Sequence, residues 1–193
     1  MHLAIEGNDG VGKSTICNLL SKKLNYIFVE KPMHYLLDED GIDNYQKLAI
    51  KVNSMTDRNF TAWYYALNNM LTYSKFKDQN IVTDRHLVSN FCYSGTTYNE
   101  DIYDLLIKKI GLPDLTVILY ANQETITKRL IKRNPTDNDL KKVDKSEDVY
   151  KRMIKFCDDK KCNYIVVDTS NNEPEITVDI IISKLMEVIN GNK

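Results

Sequence analysis

Gly7-Asn8-Asp9-Gly10-Val11-Gly12-Lys13-Ser14-Thr15 follows the apolar run His2–Glu6 and opens a segment, 13–24, whose apolar residues recur at helical spacing. From Gly7 to Ser14 it fits the Walker A pattern, G-x-x-x-x-G-K-[ST], in the strand–loop–helix setting that gives the pattern its meaning. Glycines at 7, 10 and 12 let the backbone turn its N–H groups inward, and the positive end of the following helix strengthens the hold on phosphate oxygens. Lys13 is then expected to reach the β- and γ-phosphates of ATP and Ser14 to ligate Mg²⁺, with Asn8, Asp9, Val11 and Thr15 completing the cradle. A glycine-rich turn capping a helix through Ser14 and Thr15 is the plainer alternative. The strand before and the helix after weigh against it.

Working outward, short apolar runs at His2–Glu6, Tyr26–Val29, Ile81–Thr83, Leu115–Tyr120 and Tyr164–Val167 predict five buried strands. Segments with helical spacing lie between them, at 13–24, 42–54, 58–76, 87–110, 122–133, 146–160 and 173–190. Alternating strands and helices predict an α/β chain with the P-loop NTPase fold, a five-stranded, mainly parallel sheet flanked by helices on both faces. The polar, aperiodic stretch at 134–145 is expected to be a mobile loop and, functionally, a short lid. At 193 residues the whole chain, 1–193, is expected to form a single domain.

Composition narrows the function. With 26 Lys and Arg against 27 Asp and Glu, the net charge is -1, which argues against a large nucleic-acid or membrane footprint and leaves phosphate binding to local basic clusters. Cys17, Cys92, Cys157 and Cys162 are irregularly spaced, and Cys157 and Cys162 fit neither a redox C-x-x-C nor a usual zinc spacing, so a reduced, intracellular chain is expected. The N-terminus runs directly into the loop and no apolar run is long enough to span a bilayer, so a soluble, cytoplasmic protein is expected.

The third strand ends in Thr83-Asp84-Arg85-His86-Leu87-Val88-Ser89-Asn90-Phe91-Cys92-Tyr93-Ser94-Gly95. This places a carboxylate and a guanidinium at the carboxyl end of a strand, where parallel sheets bind ligands. Asp84 suits magnesium held through water and Arg85 suits a phosphate; a salt bridge or helix cap is the alternative for the pair. Together the two motifs resemble the thymidylate kinase family, whose P-loop commonly reads E-G-x-D-G-x-G-K-S-T and whose third strand ends in D-R-[YH] followed by S-x-x-x-Y. Glu6 to Thr15 fits the first, and Asp84, Arg85, His86, Ser89 and Tyr93 fit the second. Weaker matches at Pro113-Asp114-Leu115, Arg129–Arg133, Glu147 and Tyr150 extend the resemblance over nearly the whole chain.

The resemblance implies ATP-dependent phosphoryl transfer to a pyrimidine deoxynucleotide, dTMP to dTDP, with Asp9 on the sugar 3′-hydroxyl, Arg85 on the acceptor phosphate, and Asn90 and Ser94 facing the base edge. It also implies a homodimer. An aromatic of the 58–76 segment is expected to stack on the base, and Tyr64 is the candidate, against the alternative that it is core. Two positions depart from the family. Asn68 stands where a base-contacting Arg is usual, and an amide, which both donates and accepts, leaves base identity open. Glu30 stands where an Arg usually meets the acceptor phosphate; Lys31 could supply the charge but not the bidentate fork. Glu30 has other readings: a strand-end structural carboxylate, or a general base, since deoxynucleoside kinases place Glu-Pro after the second strand to take a proton from a 5′-hydroxyl.

Val11 occupies the P-loop position where some thymidylate kinases carry a catalytic Arg, and in its absence the lid normally supplies the cation. Arg129 and Arg133 lie one helical turn apart on the same face, with Lys132, Lys141 and Lys142 nearby. Arg133 is expected to meet transition-state charge and Arg129 to contact adenine or phosphate, against the alternative of a solvated basic face. A non-enzymatic nucleotide switch is a third functional reading, disfavoured by the apparent acceptor pocket.

Overall fold

The structure, a computed structural model, describes residues 1–191; the last two residues of the expected domain lie outside it. Five strands, β1 (His2–Gly7), β2 (Ile27–Val29), β3 (Ile81–Asp84), β4 (Leu115–Tyr120) and β5 (Tyr164–Asp168), form one sheet in the order β2-β3-β1-β4-β5, every neighbouring pair parallel. Each strand lies where hydrophobicity predicts it. The expected "mainly parallel" sheet is wholly parallel because every connection between strands crosses over through helix.

Side chains of β1 alternate faces, as the pleat requires. Leu3 and Ile5 join Val117 and Leu119 of β4 beneath α1 (Lys13–Leu24), α7 (Gln123–Arg133) and α9 (Pro174–Gly191). On the other face Ile118 meets α4 (Arg58–Phe76), α5 (Leu87–Ser94), α6 (Glu100–Ile110) and α8 (Ser146–Asp159). Glu6 also points to this second face and is fully buried, with 0% exposure.

Three local outcomes differ from expectation. The helix expected over 87–110 is two, α5 and α6, broken at Gly95. A Cβ at Gly95 would lie 2.6 Å from the Phe91 carbonyl oxygen. Asn99 then fixes the turn, accepting from Thr96 N–H at 2.7 Å and donating to the Ser94 carbonyl at 3.2 Å. The loop expected over 134–145 contains a 3₁₀ helix, Asn138–Lys145, which Asp137 caps by accepting from Asp139 N–H at 3.0 Å and which buries Val143 in the core. A short α2 (His34–Leu37) precedes α3 (Asp43–Asn53). Four residues are too few to show helical periodicity in sequence.

Among the described residues no helix is long and apolar enough to cross a membrane. The strand order reverses at β1, which lies between β3 and β4. Such a switch point opens a crevice at the carboxyl ends of the strands, and the loops bearing residues 7–15, 30–31 and 84–94 leave the sheet there.

Candidate active site

The loop after β1 folds as its glycines require. Gly7, Gly10 and Gly12 have φ of 140°, 84° and 99°, all in the region that favours glycine. Gly7 also has no room for a side chain, since a Cβ would sit 2.6 Å from the Leu119 carbonyl oxygen. Lys13 is buried, its ammonium donating to the Asn8 carbonyl at 2.7 Å with Asp9 at 3.7 Å. Burial, and then Arg85, lower its pKa, with only partial relief from Asp9 and Asp84. An anion arriving in front of it would restore what burial takes away.

Across the loop, Asp84 ends β3 and accepts a hydrogen bond from Ser14 Oγ at 2.9 Å. Arg85 follows in the left-handed region, φ 73°, an uncommon and strained backbone for a non-glycine residue. Its guanidinium donates to Gly7 O at 3.0 Å, Ser89 Oγ at 3.1 Å and Asp9 Oδ1 at 2.7 Å. Burial alone would lower its pKa, but Asp9, followed by Tyr93, Asp84 and Glu6, reverses the direction and secures the charge. The same contact acts on Asp9: burial raises it, yet Arg85 and Lys13 pull the carboxyl down to about 2. Beneath them Glu6 accepts from His86 N–H at 2.9 Å and from the Ser89 hydroxyl, so one buried carboxylate fixes both the turn and the hydroxyl that Arg85 touches.

These groups open onto one cleft of about 1020 Å³. The P-loop from Asp9 to Thr15, Arg129, Arg133 and Lys142 line it, as do Glu30, Lys31, Asn68, Asp84, Arg85, Asn90 and Ser94. Gly7 contributes its carbonyl to Arg85 instead, while Asn8 turns aside, donating to Ser146 O at 2.9 Å. Glu30 and Lys31 pair with each other at 3.2 Å, and Lys31 also has a left-handed backbone, φ 45°. Arg129 donates to Val11 O at 3.3 Å and Thr169 O at 2.6 Å, bracing the loop against the end of β5. Arg133 is held by Asp137 at 2.7 Å and Asp139 at 3.0 Å, and Lys142 by Asp139 at 2.7 Å, so these cations are paired with carboxylates of the 134–145 segment.

The aromatic expectation needs correction. Tyr64 does not line the cleft; it is buried against Tyr65, ring centroids 5.1 Å apart, and Tyr65 with Tyr45 lines the cleft instead. Asn90 lines the cleft, but its amide donates to Ala62 O at 3.3 Å and accepts from Tyr103 Oη at 3.3 Å, tying α5 to α4 and α6. Asn68 is buried, its Nδ2 given to Tyr64 O at 2.8 Å, while its Oδ1 and the neighbouring Asn69 Nδ2 have no protein partner.

The sequence model of the thymidylate kinase family matches residues 5–180, which take in the P-loop, Glu30, the Asp84–Arg85 turn and the segment 134–145. The chain belongs to the thymidylate kinase family. A curated relative, the thymidylate kinase of Nautilia profundicola, is 26% identical over 203 aligned residues covering 97% of this chain and 100% of the relative. Among solved structures, deoxyadenosine kinase from M. mycoides with bound dCTP aligns with TM-score 0.66 and 21% identity, covering 97% of this chain and 100% of that one. Thymidylate kinase from Candida albicans aligns with the same TM-score and identity, covering 99% and 91%. At that identity the two structures speak for the fold, a P-loop kinase fold.

As a member of the thymidylate kinase family the chain is a nucleotide kinase, a phosphotransferase with ATP as donor and a small nucleotide as substrate. Sequence reading missed Glu6 as the support beneath Arg85, and Tyr65 and Asn69 as lining residues. A signal for two of them existed: Thr61, Tyr65, Asn68, Asn69 and Thr72 recur at helical spacing on one polar face of α4, and all five line the cleft.

Proposed function

We propose that the chain transfers the γ-phosphoryl group of ATP to dTMP, giving dTDP. The observation that carries this reading is the guanidinium of Arg85, braced by Gly7, Ser89 and Asp9, lining the same cleft as the buried ammonium of Lys13, the two sharing one oxygen of Asp9. Two fixed cations facing one space suit two phosphoryl groups brought together. Lys13 and the inward N–H groups of the P-loop hold the donor; Arg85 orients the acceptor phosphate and Asp9 the sugar; Tyr65 is the aromatic available to the base. Arg133, once released from Asp137 and Asp139, meets charge on the transferring group as the segment 134–145 closes as a lid and excludes water. Positioning and electrostatics then suffice, because a phosphate oxygen is already a competent nucleophile.

Ser14 and Asp84 fit Mg²⁺: both present hard oxygen, they already touch one another, and among the described residues no larger cluster of metal-ligating side chains competes. When bound there, Mg²⁺ supplies charge neutralisation at the phosphate oxygens. We place the enzyme in the cytoplasm as a single catalytic unit. It would act as a homodimer through the α4 face bearing Phe60, Trp63, Leu67 and Met70, an apolar row left exposed.

One observation favours a second reading. Glu30 lines the cleft beside Lys31, where a carboxylate could take the proton of a 5′-hydroxyl, as a deoxynucleoside kinase requires. A panel of nucleosides and monophosphates, each with ATP and Mg²⁺, separates the two. ADP release with dTMP but not thymidine supports the monophosphate reading, and the reverse overturns it. Glu30→Gln should then change kcat only severalfold; a loss of roughly 10²-fold or more would assign Glu30 as the base.

A further inference from the structure

The two cysteines that fit no sequence spacing are brought together by the end of α8. Lys161 adopts a left-handed backbone, φ 54°; its N–H bonds to Asp158 O at 3.2 Å, and Cys162 N–H bonds back to Cys157 O at 2.8 Å. This pair of bonds is the Schellman arrangement, in which the residue beyond the turn packs its side chain on the one five positions earlier. Here those two residues are Cys162 and Cys157. Both belong to the same apolar cluster as Met153 and Phe156, Cys157 fully buried and Cys162 half-buried, and neither is in a disulfide.

We propose that Cys157 and Cys162 form an oxidation site, a dithiol that a hydroperoxide converts to an intramolecular disulfide. The geometry supplies the pairing, since the backbone bond holds the two residues side by side and a disulfide needs its Cα atoms only about 4.4–6.8 Å apart. The two thiols are also unlike. The neighbouring Cys157 thiol favours the thiolate of Cys162, while Cys162 and burial push Cys157 up. Elsewhere burial raises the thiols of Cys17 and Cys92, the latter to about 12, so these two are poor nucleophiles.

The chemistry balances with peroxide as the oxidant. Cys162 thiolate attacks one peroxide oxygen; an S–O bond forms, the O–O bond breaks, and the departing hydroxide takes a proton to become water. Cys157 sulfur then attacks Cys162 sulfur; the S–S bond forms, the S–O bond breaks, and the oxygen leaves as a second water with the thiol proton. The dithiol loses two electrons and two protons, and peroxide gains both. Cys162 precedes β5, at the amino ends of the strands and away from the cleft, so the reaction is separable from phosphoryl transfer.

The test treats the full chain with hydrogen peroxide and counts thiols after denaturation, with peptide mapping of the product. The chain carries four thiols, and two should remain, with a cross-linked peptide joining 157 to 162 and recovery of all four on reduction. Cys162→Ser, at a half-buried position, should keep its three thiols under the same dose. Phenylarsine oxide, which bridges paired thiols, gives a second measurement on the untreated protein. It should bind one equivalent, at least tenfold more tightly than to Cys162→Ser. A sulfinic product at Cys162 without a cross-link, a cross-link through Cys17 or Cys92, or equal arsenical binding by both proteins would overturn the proposal.

Discussion

Replacing Glu6 with Gln isolates the support beneath Arg85. Glu6 is fully buried and uses both oxygens as acceptors, one from His86 N–H at 2.9 Å and one from the Ser89 hydroxyl, whose oxygen in turn accepts from Arg85 at 3.1 Å. Glutamine keeps the first acceptor but presents an amide N–H₂ to Ser89. The hydroxyl must rotate to accept from it, and its own hydrogen is left without a partner. One orphaned buried donor costs about 1–2 kcal/mol. In a chain of this size that lowers Tm by roughly 2–8 °C. The left-handed turn at Arg85, itself costing roughly 1–2 kcal/mol, loses part of what holds it, so the guanidinium drifts from its place beside Asp9. The expected kinetic signature is a rise of roughly tenfold in KM for the monophosphate acceptor, about 1.4 kcal/mol, with KM for ATP changed less than about twofold.

The pH dependence adds a sign that mere loss of packing would not give. Burial holds the Glu6 carboxyl above its ordinary value, against the opposing pull of Ser89, Arg85 and the His86 N–H. With its pKa raised in the folded state, its contribution is fully present below the unfolded pKa and is lost as pH rises through the folded value. Glu6→Gln has no such loss. Its deficit relative to wild type should therefore be largest near pH 4 and shrink as pH rises. Thermal denaturation of both proteins from pH 4 to 8, with acceptor and ATP kinetics at neutral pH, measures each part. Equal Tm at every pH together with an unchanged acceptor KM would refute the reasoning.

Asp9→Asn should lower stability at neutral pH by roughly 1 kcal/mol. The fall from 3.8 to about 2 sets an upper bound of about 2.4 kcal/mol, which solvent screening reduces for a side chain 35% exposed. Because the folded pKa is depressed, this difference is present above about 3.8 and should vanish as pH falls toward 2, read from urea midpoints of the two proteins. Arg133→Ala should cut single-turnover phosphoryl transfer roughly 10²-fold with acceptor KM unchanged, whereas Asp139→Asn, which removes one of its holders, should keep the transfer rate at or above wild type. Leu67→Asp, on the exposed α4 row, should shift sedimentation from dimer to monomer; a wild-type chain that is monomeric at all concentrations would remove the premise.

The donor half of the site was legible because it is contiguous. Gly7 to Thr15 carry in order the turn residues, the cation and the hydroxyl, and the strand and helix on either side are marked by their own periodicities. The strands were equally plain, each a short apolar run, buried on both faces in β1, β3 and β4 and partly exposed in the edge strands β2 and β5. What the sequence concealed depends on geometry between elements. The break at Gly95 lies within a run whose apolar spacing continues on both sides, so periodicity alone joined α5 to α6. The order in 138–145 comes from Asp137, Val143 and the ion pairs of Arg133 and Lys142, which are visible only once the segment is seen against α7 and α8.

The acceptor half was harder for a further reason: neighbouring residues compete for one role. Tyr64 and Tyr65 have the same chemistry and differ by about 100° around α4, so choosing between them requires knowing which face meets the cleft. Thr61, Asn68, Asn69 and Thr72 define that face, and Tyr65 lies on it with them, its hydroxyl donating to Asn53 at 2.7 Å. Glu6 was concealed differently. As the last side chain of a buried strand it reads as part of a motif, yet the pleat sends it away from the phosphate loop, to the floor under Arg85. A buried carboxylate on a strand next to a phosphate loop calls for a named partner, because an unpaired one would be too costly to keep. For Glu6 that partner is the strained turn that aims the Arg85 guanidinium, which makes it the position where, on the proposed function, acceptor binding and fold stability should fail together.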